Sequence, residues 1–448
     1  MSRPIAAIVG RPNVGKSTLF NALAGKNISI IKDTPGVTRD RIYADVEWAG
    51  YHFTVIDTGG IEPESEDVIL KQMREQAQIA IDTAEVIIFM VDLRSGLQDS
   101  DGKVADMLRK SGKPVVLCVN AVDNYVTQSP YIYEFYELGI GDPIPISAAN
   151  RQGIGDLLDQ VTAYFDEVAA EEEESEIPRI AVVGKPNVGK SSIINKLIGE
   201  NRVIVSNIAG TTRDSIDTPV KWQGKDYVFI DTAGLRRKSR IKEELERYTV
   251  IRTVSAVERA DVVVVVIDAV EGISEQDAKI AGIAHERGKG IVIAVNKWDA
   301  VKDKNTNSTR EYEAEIRRIL SYLSYAEIVF ISAETGQRLN RLFSTIDMVI
   351  ENQNKRVSTG VLNEIMTEAV AMQQPPTDKG RRLRLYYITQ VSVGPPTFVI
   401  FVNDKELMHF SYTRYLENQI RQTFDFKGTA LKFIIRERSE NDRTTIQK

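Results

Sequence analysis

Residues 10–17 read GRPNVGKS and residues 184–191 read GKPNVGKS, the same loop met twice at an offset of 174. The offset persists downstream. VTRD ends at Asp40 and TTRD at Asp214, while DTGG begins at Asp57 and DTAG at Asp231. A phosphate-binding loop repeated in register with its companions means two copies of one nucleotide-hydrolysing domain. Each residue type has a physical reason. Glycines let backbone N–H groups approach phosphate oxygens, and the helix that follows presents its positive end. The first candidate cradle is Gly10, Arg11, Pro12, Asn13, Val14, Gly15, Lys16 and Ser17. The second is Gly184, Lys185, Pro186, Asn187, Val188, Gly189, Lys190 and Ser191. Lys16 and Lys190 are placed to meet the β and γ phosphates, and the hydroxyls of Ser17 and Ser191 to meet Mg²⁺.

Apolar runs such as IAAIVG, AEVIIFMVD and KPVVLCVN in the first copy, and RIAVVG, ADVVVVVID and GIVIAVN in the second, read as short strands covered on both faces. Such strands belong to a mainly parallel sheet with helices on both sides, an α/β fold. Between them lie segments of helical spacing such as VGKSTLFNALAG, with Gly25 as a stop signal. The motif residues fall just past strand ends, where open α/β sheets hold ligands.

The expected division is a first domain over 1–168, a solvated acidic linker over 169–178 (AAEEEESEIP), a second domain over 179–354, a small α+β domain over 355–440 and a tail over 441–448. The third region reads as helix (GVLNEIMTEAVAM), strands (RLRLYYITQVSV and TFVIFVN), helix (SYTRYLENQIRQTF) and strand (ALKFIIRER). Residues 351–448 hold 15 Lys and Arg against 11 Asp and Glu, whereas the whole chain has a net charge of −6, so the third region is the basic part of an acidic protein. The single cysteine, Cys118, sits in an apolar run and forms no intrachain disulfide. With no signal peptide and no apolar run of spanning length, the expectation is a cytoplasmic protein.

Thr38 and Thr212 each lie 21 residues past their loop serine, where an ordered loop senses the γ-phosphate through the metal. Asp57 and Asp231 end apolar strands and are expected to hold Mg²⁺. They open the runs Asp57, Thr58, Gly59, Gly60 and Asp231, Thr232, Ala233, Gly234, whose last glycines bring a backbone N–H to the γ-phosphate. The candidate catalytic residues are therefore Lys16, Thr38 and Gly60, with Lys190, Thr212 and Gly234. Ile61 and Leu235 follow, where many GTPases carry a water-orienting glutamine. An apolar side chain cannot orient water, so catalysis falls to backbone, Mg²⁺ and a second cation.

Base choice comes from NKWD, Asn296 to Asp299. Asp299 accepts two hydrogen bonds from the guanine edge, which adenine cannot offer, and the stem of Lys297 covers the ring. Ser332 and Ala333 complete the pocket, as Ser147 and Ala148 do in the first copy. The first copy reads NAVD, keeping Asn120 and Asp123 but placing Ala121 where the lysine belongs. Guanine selection should persist there, with binding weakened by ~1–2 kcal/mol.

Two adjacent GTPase-like domains followed by a small C-terminal domain resemble the Der (EngA) family of tandem-GTPase ribosome assembly factors, of the TrmE–Era–EngA class. The resemblance covers the whole chain and rests on PNVGKS and on the apolar residue after the DxxG glycine, both present twice. It implies that the third domain is KH-like, although GPP at 394–396 and GTA at 428–430 do not supply the GXXG loop of ordinary KH domains. It implies association with the large ribosomal subunit and rRNA in the GTP state, and no membrane partner. It also implies a K⁺ site at Asn13 and Asn187, the residues that match the potassium-binding position of K⁺-stimulated relatives.

A protein-binding switch that never touches RNA is the competing reading, favoured by the overall acidity. In a third, the first domain is a weak nucleotide binder that only positions the second. No coiled-coil heptads suggest self-association, so a monomer is expected. If K⁺ supplies the missing cation, GTP turnover in KCl will exceed that in NaCl at matched ionic strength; equal rates would remove the K⁺ expectation.

Overall fold

The computed structural model describes residues 3–24, 43–59, 66–172, 177–199, 203–204, 217–230, 245–302, 304–375, 377–378 and 381–437. The chain divides into two compact units. One comprises residues 1–176 with 239–259, and the other residues 177–238 with 260–448.

The first unit is built on a six-stranded sheet. Its strands are β1 (Ile5–Gly10), β2 (Tyr43–Trp48), β3 (Tyr51–Asp57), β4 (Val86–Asp92), β5 (Val115–Asn120) and β6 (Ile144–Pro145). Their spatial order is β2-β3-β1-β4-β5-β6, parallel throughout except for β2. Both faces are buried, as the continuous apolar runs require. Ile5, Ala7 and Val9 enter one apolar cluster while Ala6 and Ile8 enter the cluster on the opposite face. Helix Lys16–Ala24 follows β1 directly and ends one residue before Gly25, which lies outside the described residues. Residues 143–147, PIPIS, contribute only the two-residue β6.

Helix Ile154–Glu172 continues through the first four positions of the expected linker. Ala169, Ala170, Glu171 and Glu172 are good helix formers, so the preceding helix propagates through them. Helix Leu245–Arg259, encoded within the second copy, is grouped with the first unit. There Arg252 Nη2 lies 3.1 Å from Asp82 Oδ2, and Ser255 Oγ donates to Thr83 O at 3.2 Å.

The second unit repeats the sheet with β7 (Arg179–Val183), β8 (Val203–Ile204), β9 (Thr218–Trp222), β10 (Lys225–Ile230), β11 (Val262–Asp268), β12 (Gly290–Asn296) and β13 (Glu327–Phe330). The order is β13-β12-β11-β7-β10-β9-β8, with β9 antiparallel to β10. An aromatic group closes one face. Phe343 is fully buried, stacks on Trp222 with centroids 4.4 Å apart, and meets Tyr227 and Phe229 at 5.9 and 6.1 Å.

The same unit carries the third region: helix Thr359–Met372, a short β14 (Thr377–Asp378) and β15 (Arg381–Arg382) ribbon, β16 (Leu385–Ser392), β17 (Thr397–Val402), helix Phe410–Phe424 and β18 (Lys432–Glu437). Strand β17 pairs antiparallel with β16 and parallel with β18. Main-chain bonds join this region to the second sheet: Gly428 N donates to Tyr325 O, and Ile291 N to Gly428 O, both at 2.7 Å. The guanidinium of Arg421 lies 4.6 Å over the Tyr325 ring. The region has its own core, around Leu362, Phe398 and Leu416, and docks on the second sheet through these contacts.

Phe343→Ala should remove a buried ring from three aromatic partners and cost about 3–5 kcal/mol, read as a lowered denaturation midpoint of the purified chain.

Candidate functional site

Each loop turns because a residue without a side chain sits against an asparagine. Gly15 has φ +99°, and a Cβ there would lie 2.3 Å from Asn120 Nδ2; Gly189, at φ +100°, would stand 2.2 Å from Asn296 Nδ2. The asparagines need that closeness. Asn120 Nδ2 donates to Val14 O at 2.7 Å and its Oδ1 accepts from Ala148 N at 3.0 Å. Asn296 repeats this with Val188 O at 2.8 Å and Ala333 N at 2.9 Å. The sequence placed both asparagines among the nucleotide contacts. In the structure both ends of each amide are taken by main chain, so the side chain staples the phosphate loop to the Ser–Ala loop.

The loop lysines are caged. Lys16 Nζ donates to Gly10 O at 2.7 Å and Arg11 O at 2.6 Å; Lys190 Nζ donates to Gly184 O at 2.8 Å and Lys185 O at 2.6 Å. Burial pushes the Lys16 amine down to about 8, opposed by Asp57 and assisted by the Arg11 cation. A buried cation held only by dipoles and one nearby carboxylate is matched to a polyphosphate.

Beside it, Ser17 Oγ donates to Asp57 Oδ2 at 3.0 Å, while Asp57 Oδ1 accepts from Gly59 N at 2.9 Å. Thr58 Oγ1 donates to Ile8 O at 2.6 Å, so this side chain fixes the strand end. The adjacent oxygens of Ser17 and Asp57 are the hard donor type that Mg²⁺ takes together with phosphate and water. Asn13 and Asn187 crest their loops, exposed and left-handed at φ 64° and 65°; asparagine tolerates that conformation. Thr38, Gly60, Ile61, Thr212, Asp231, Thr232, Ala233, Gly234 and Leu235 lie outside the described residues.

A buried aspartate behind each loop was missed by the sequence reading. Arg11 Nε meets Asp101 Oδ1 at 2.8 Å, and its Nη2 reaches Ser95 Oγ at 2.9 Å. Lys185 Nζ lies 3.3 Å from Asp277 Oδ2. Asp101 and Asp277 are fully buried and form the capping boxes of helices Asp99–Ser111 and Glu275–Glu286. Burial raises the Asp101 carboxyl against the pull of Arg11. The signal was present: both aspartates stand in register 176 apart, but as helix caps they look structural.

The base-side carboxylates differ between copies. Asp123 Oδ1 accepts from Ser147 Oγ at 2.7 Å and Asn150 Nδ2 at 3.0 Å, and its Oδ2 from Arg94 Nη2 at 2.7 Å. Ser147 first, then Arg94, hold this carboxyl below its ordinary range. Asp299 is exposed, and among the described residues its carboxylate has no hydrogen-bond partner. Lys297 instead reaches back to the buried Asp268 Oδ2 at 2.5 Å. Ser332 is buried and its Oγ accepts from Thr335 N at 3.1 Å.

Comparison with known proteins follows the same division. Residues 5–121 and 179–297 match the family described as a 50S ribosome-binding GTPase, and residues 356–436 the KH-domain-like region of EngA bacterial GTPase enzymes, C-terminal. Over 442 residues the chain is 72% identical to GTPase Der of Agathobacter rectalis, which spans 99% of this chain and 100% of that protein. It is equally 72% identical, with the same coverage, to GTPase Der of Lachnoclostridium phytofermentans. A variant of Era from Aquifex aeolicus, solved with GDP and aluminium fluoride, is 23% identical with a TM-score of 0.30, covering 61% of this chain and 97% of that one.

The Lys16 amine sets a pH dependence. Its value of about 8 lies below the ordinary lysine value of 10.5, so above pH 8 the free pocket holds a largely neutral amine. Phosphate favours the charged form, so GDP binding there must take up a proton and weaken as pH rises through 8, with no such uptake below. Calorimetric titration in buffers of different ionisation enthalpy measures it; proton-neutral binding just above pH 8 would contradict the caged-cation reading.

Proposed function

The chain belongs to the Der (EngA) family of tandem GTPases, and on that premise we propose that its GTP hydrolysis times attachment to, and release from, a maturing large ribosomal subunit. It is a GTPase with two nucleotide-binding domains and a KH-like domain. The working division is a first GTPase domain over 1–168, a second over 179–354 and the KH-like domain over 355–440.

The observation that carries the hydrolytic assignment of residues is the pair of caged lysines. Each amine sits among its own loop's carbonyls, poised to trade them for phosphate oxygens. Ser17 with Thr38 and Asp57, and Ser191 with Thr212 and Asp231, are assigned to hold Mg²⁺, which when bound neutralises phosphate charge and fixes its orientation. Lys16 and Lys190 then draw charge toward the β and γ oxygens, while Gly60 and Gly234 offer their N–H groups to the γ-phosphate. Asn13 and Asn187 are assigned to a K⁺ ion, whose charge would stand where an arginine finger acts. Asp123 and Asp299 select guanine. Arg11 and Lys185, locked to Asp101 and Asp277, keep the loops rigid, so little reorganisation is needed when substrate arrives.

Support for ribosomal RNA comes from the KH-like region. Arg382, Arg384 and Tyr386 are exposed along the chain entering and forming β16, whereas Leu383 and Ile388 are buried. Cations with an aromatic ring suit phosphate and base. The family model's description as 50S ribosome-binding points the same way. The competing reading, a protein partner without RNA, draws on exposed Tyr125, Tyr131, Tyr133 and Tyr136 of the first unit. No helix among the described residues is long and apolar enough to cross a membrane; the proposed state is a cytoplasmic monomer.

Sedimentation with isolated ribosomal subunits separates the two readings. Co-migration with large subunits in a non-hydrolysable GTP analogue, and its loss in GDP, is expected. Equal recovery in both nucleotides, or none in either, would overturn the ribosomal assignment.

A further inference from the structure

The two guanine pockets place a cation differently, and each serves as the other's control. In both copies the strand that ends in the pocket asparagine runs beside a strand ending in an aspartate. Asp92 pairs in register with Asn120, and Asp268 with Asn296. In the second copy Lys297, left-handed at φ 60°, sends its stem back across this gap to Asp268. In the first copy that position is Ala121, also left-handed at φ 65°, and its methyl group is too short to span the gap. The gap is crossed in reverse: Arg94, two residues past Asp92, reaches Asp123 Oδ2 at 2.7 Å. The residue at the place of Arg94 in the second copy, 176 further on, is Val270, which is exposed. Arginine stands where the lysine is missing, and valine where the lysine is present.

We propose that Arg94 is a specificity-determining residue of the first pocket, taking over from the absent lysine the covering of the guanine ring and the anchoring of the carboxylate that reads it. This rests on the assignment of Asp123 as the guanine reader. An ion pair this open to solvent contributes little to folding, so its interest lies in what it leaves free. An ionised carboxylate has about four lone-pair sites. Ser147 takes one on Oδ1 and Arg94 takes one on Oδ2. The remaining contact comes from the exposed Asn150 amide on Oδ1, which the base can displace. One site on each oxygen is then open, matching the N1–H and N2–H donors of guanine. The guanidinium need not leave when the base arrives. Its apolar stem and planar head lie along the ring, where an arginine stacks more broadly than an ammonium.

The test uses the full chain carrying Asp299→Asn, so that GDP titrates the first pocket. Arg94→Ala should weaken GDP there roughly five- to tenfold, the scale of one cation–ring contact, while leaving pyrophosphate binding unchanged, which separates loss of base contact from misfolding. Adding Ala121→Lys to Arg94→Ala should restore the parent affinity. GDP binding by Arg94→Ala as tight as the parent, or tighter, would overturn the proposal by showing that Arg94 is a bystander or merely occupies Asp123. The underlying assignment fails in a different way: Asp123→Asn should lose GDP and gain XDP, and unaltered GDP binding by that variant would remove the pocket reading itself.

Discussion

Each pocket is held in shape by one side-chain amide at a strand end. Asn120 donates to Val14 O and accepts from Ala148 N; Asn296 does the same with Val188 and Ala333. That bridge ties the phosphate loop to the loop beside the base carboxylate, so the two ends of the nucleotide site are set at a fixed separation. It also explains the glycine ahead of each loop lysine: any Cβ at Gly15 or Gly189 would collide with the amide nitrogen. The lysine beyond donates to two carbonyls of its own loop in each copy, and burial depresses the pKa of Lys16.

Duplication makes the differences informative. Behind the loops the copies agree in kind: a cation after the first glycine meets a buried capping-box aspartate, through Arg11 and Asp101 or Lys185 and Asp277. Over the base they diverge, with Lys297 turned toward Asp268 in one copy and Arg94 toward Asp123 in the other. The phosphate half is thus the more rigidly specified half, and the base half is where the two domains have separated. A first domain that keeps its loop and its carboxylate retains the parts a nucleotide site needs, which argues against a purely structural module.

The fold was legible because its signal is repetitive and extreme. A run such as Val262–Asp268, apolar at nearly every position, admits little besides a strand covered on both faces. The loops and the N-x-x-D signature were equally plain. What the sequence concealed lay in contacts between distant segments. Nothing local marks Asp101 or Asp277 as partners of residues 90 or so positions away, nor tells that Asn120 faces main chain. The propagation of helix Ile154–Glu172 into the glutamate run turned on alanine and glutamate propensity, outweighed in the reading by charge. The docking of the KH-like region, through main-chain bonds of Gly428 and the placement of Arg421 over the Tyr325 ring, joins segments far apart in sequence that no local pattern marks.

Selective guanine binding at two sites is the central claim, and equilibrium titration of the purified, nucleotide-free chain with GDP and with ADP tests it most directly. Two equivalents of GDP per chain, with no ADP bound at the same concentrations, is the expected result. Comparable binding of ADP at either pocket, or a single GDP per chain, would contradict it.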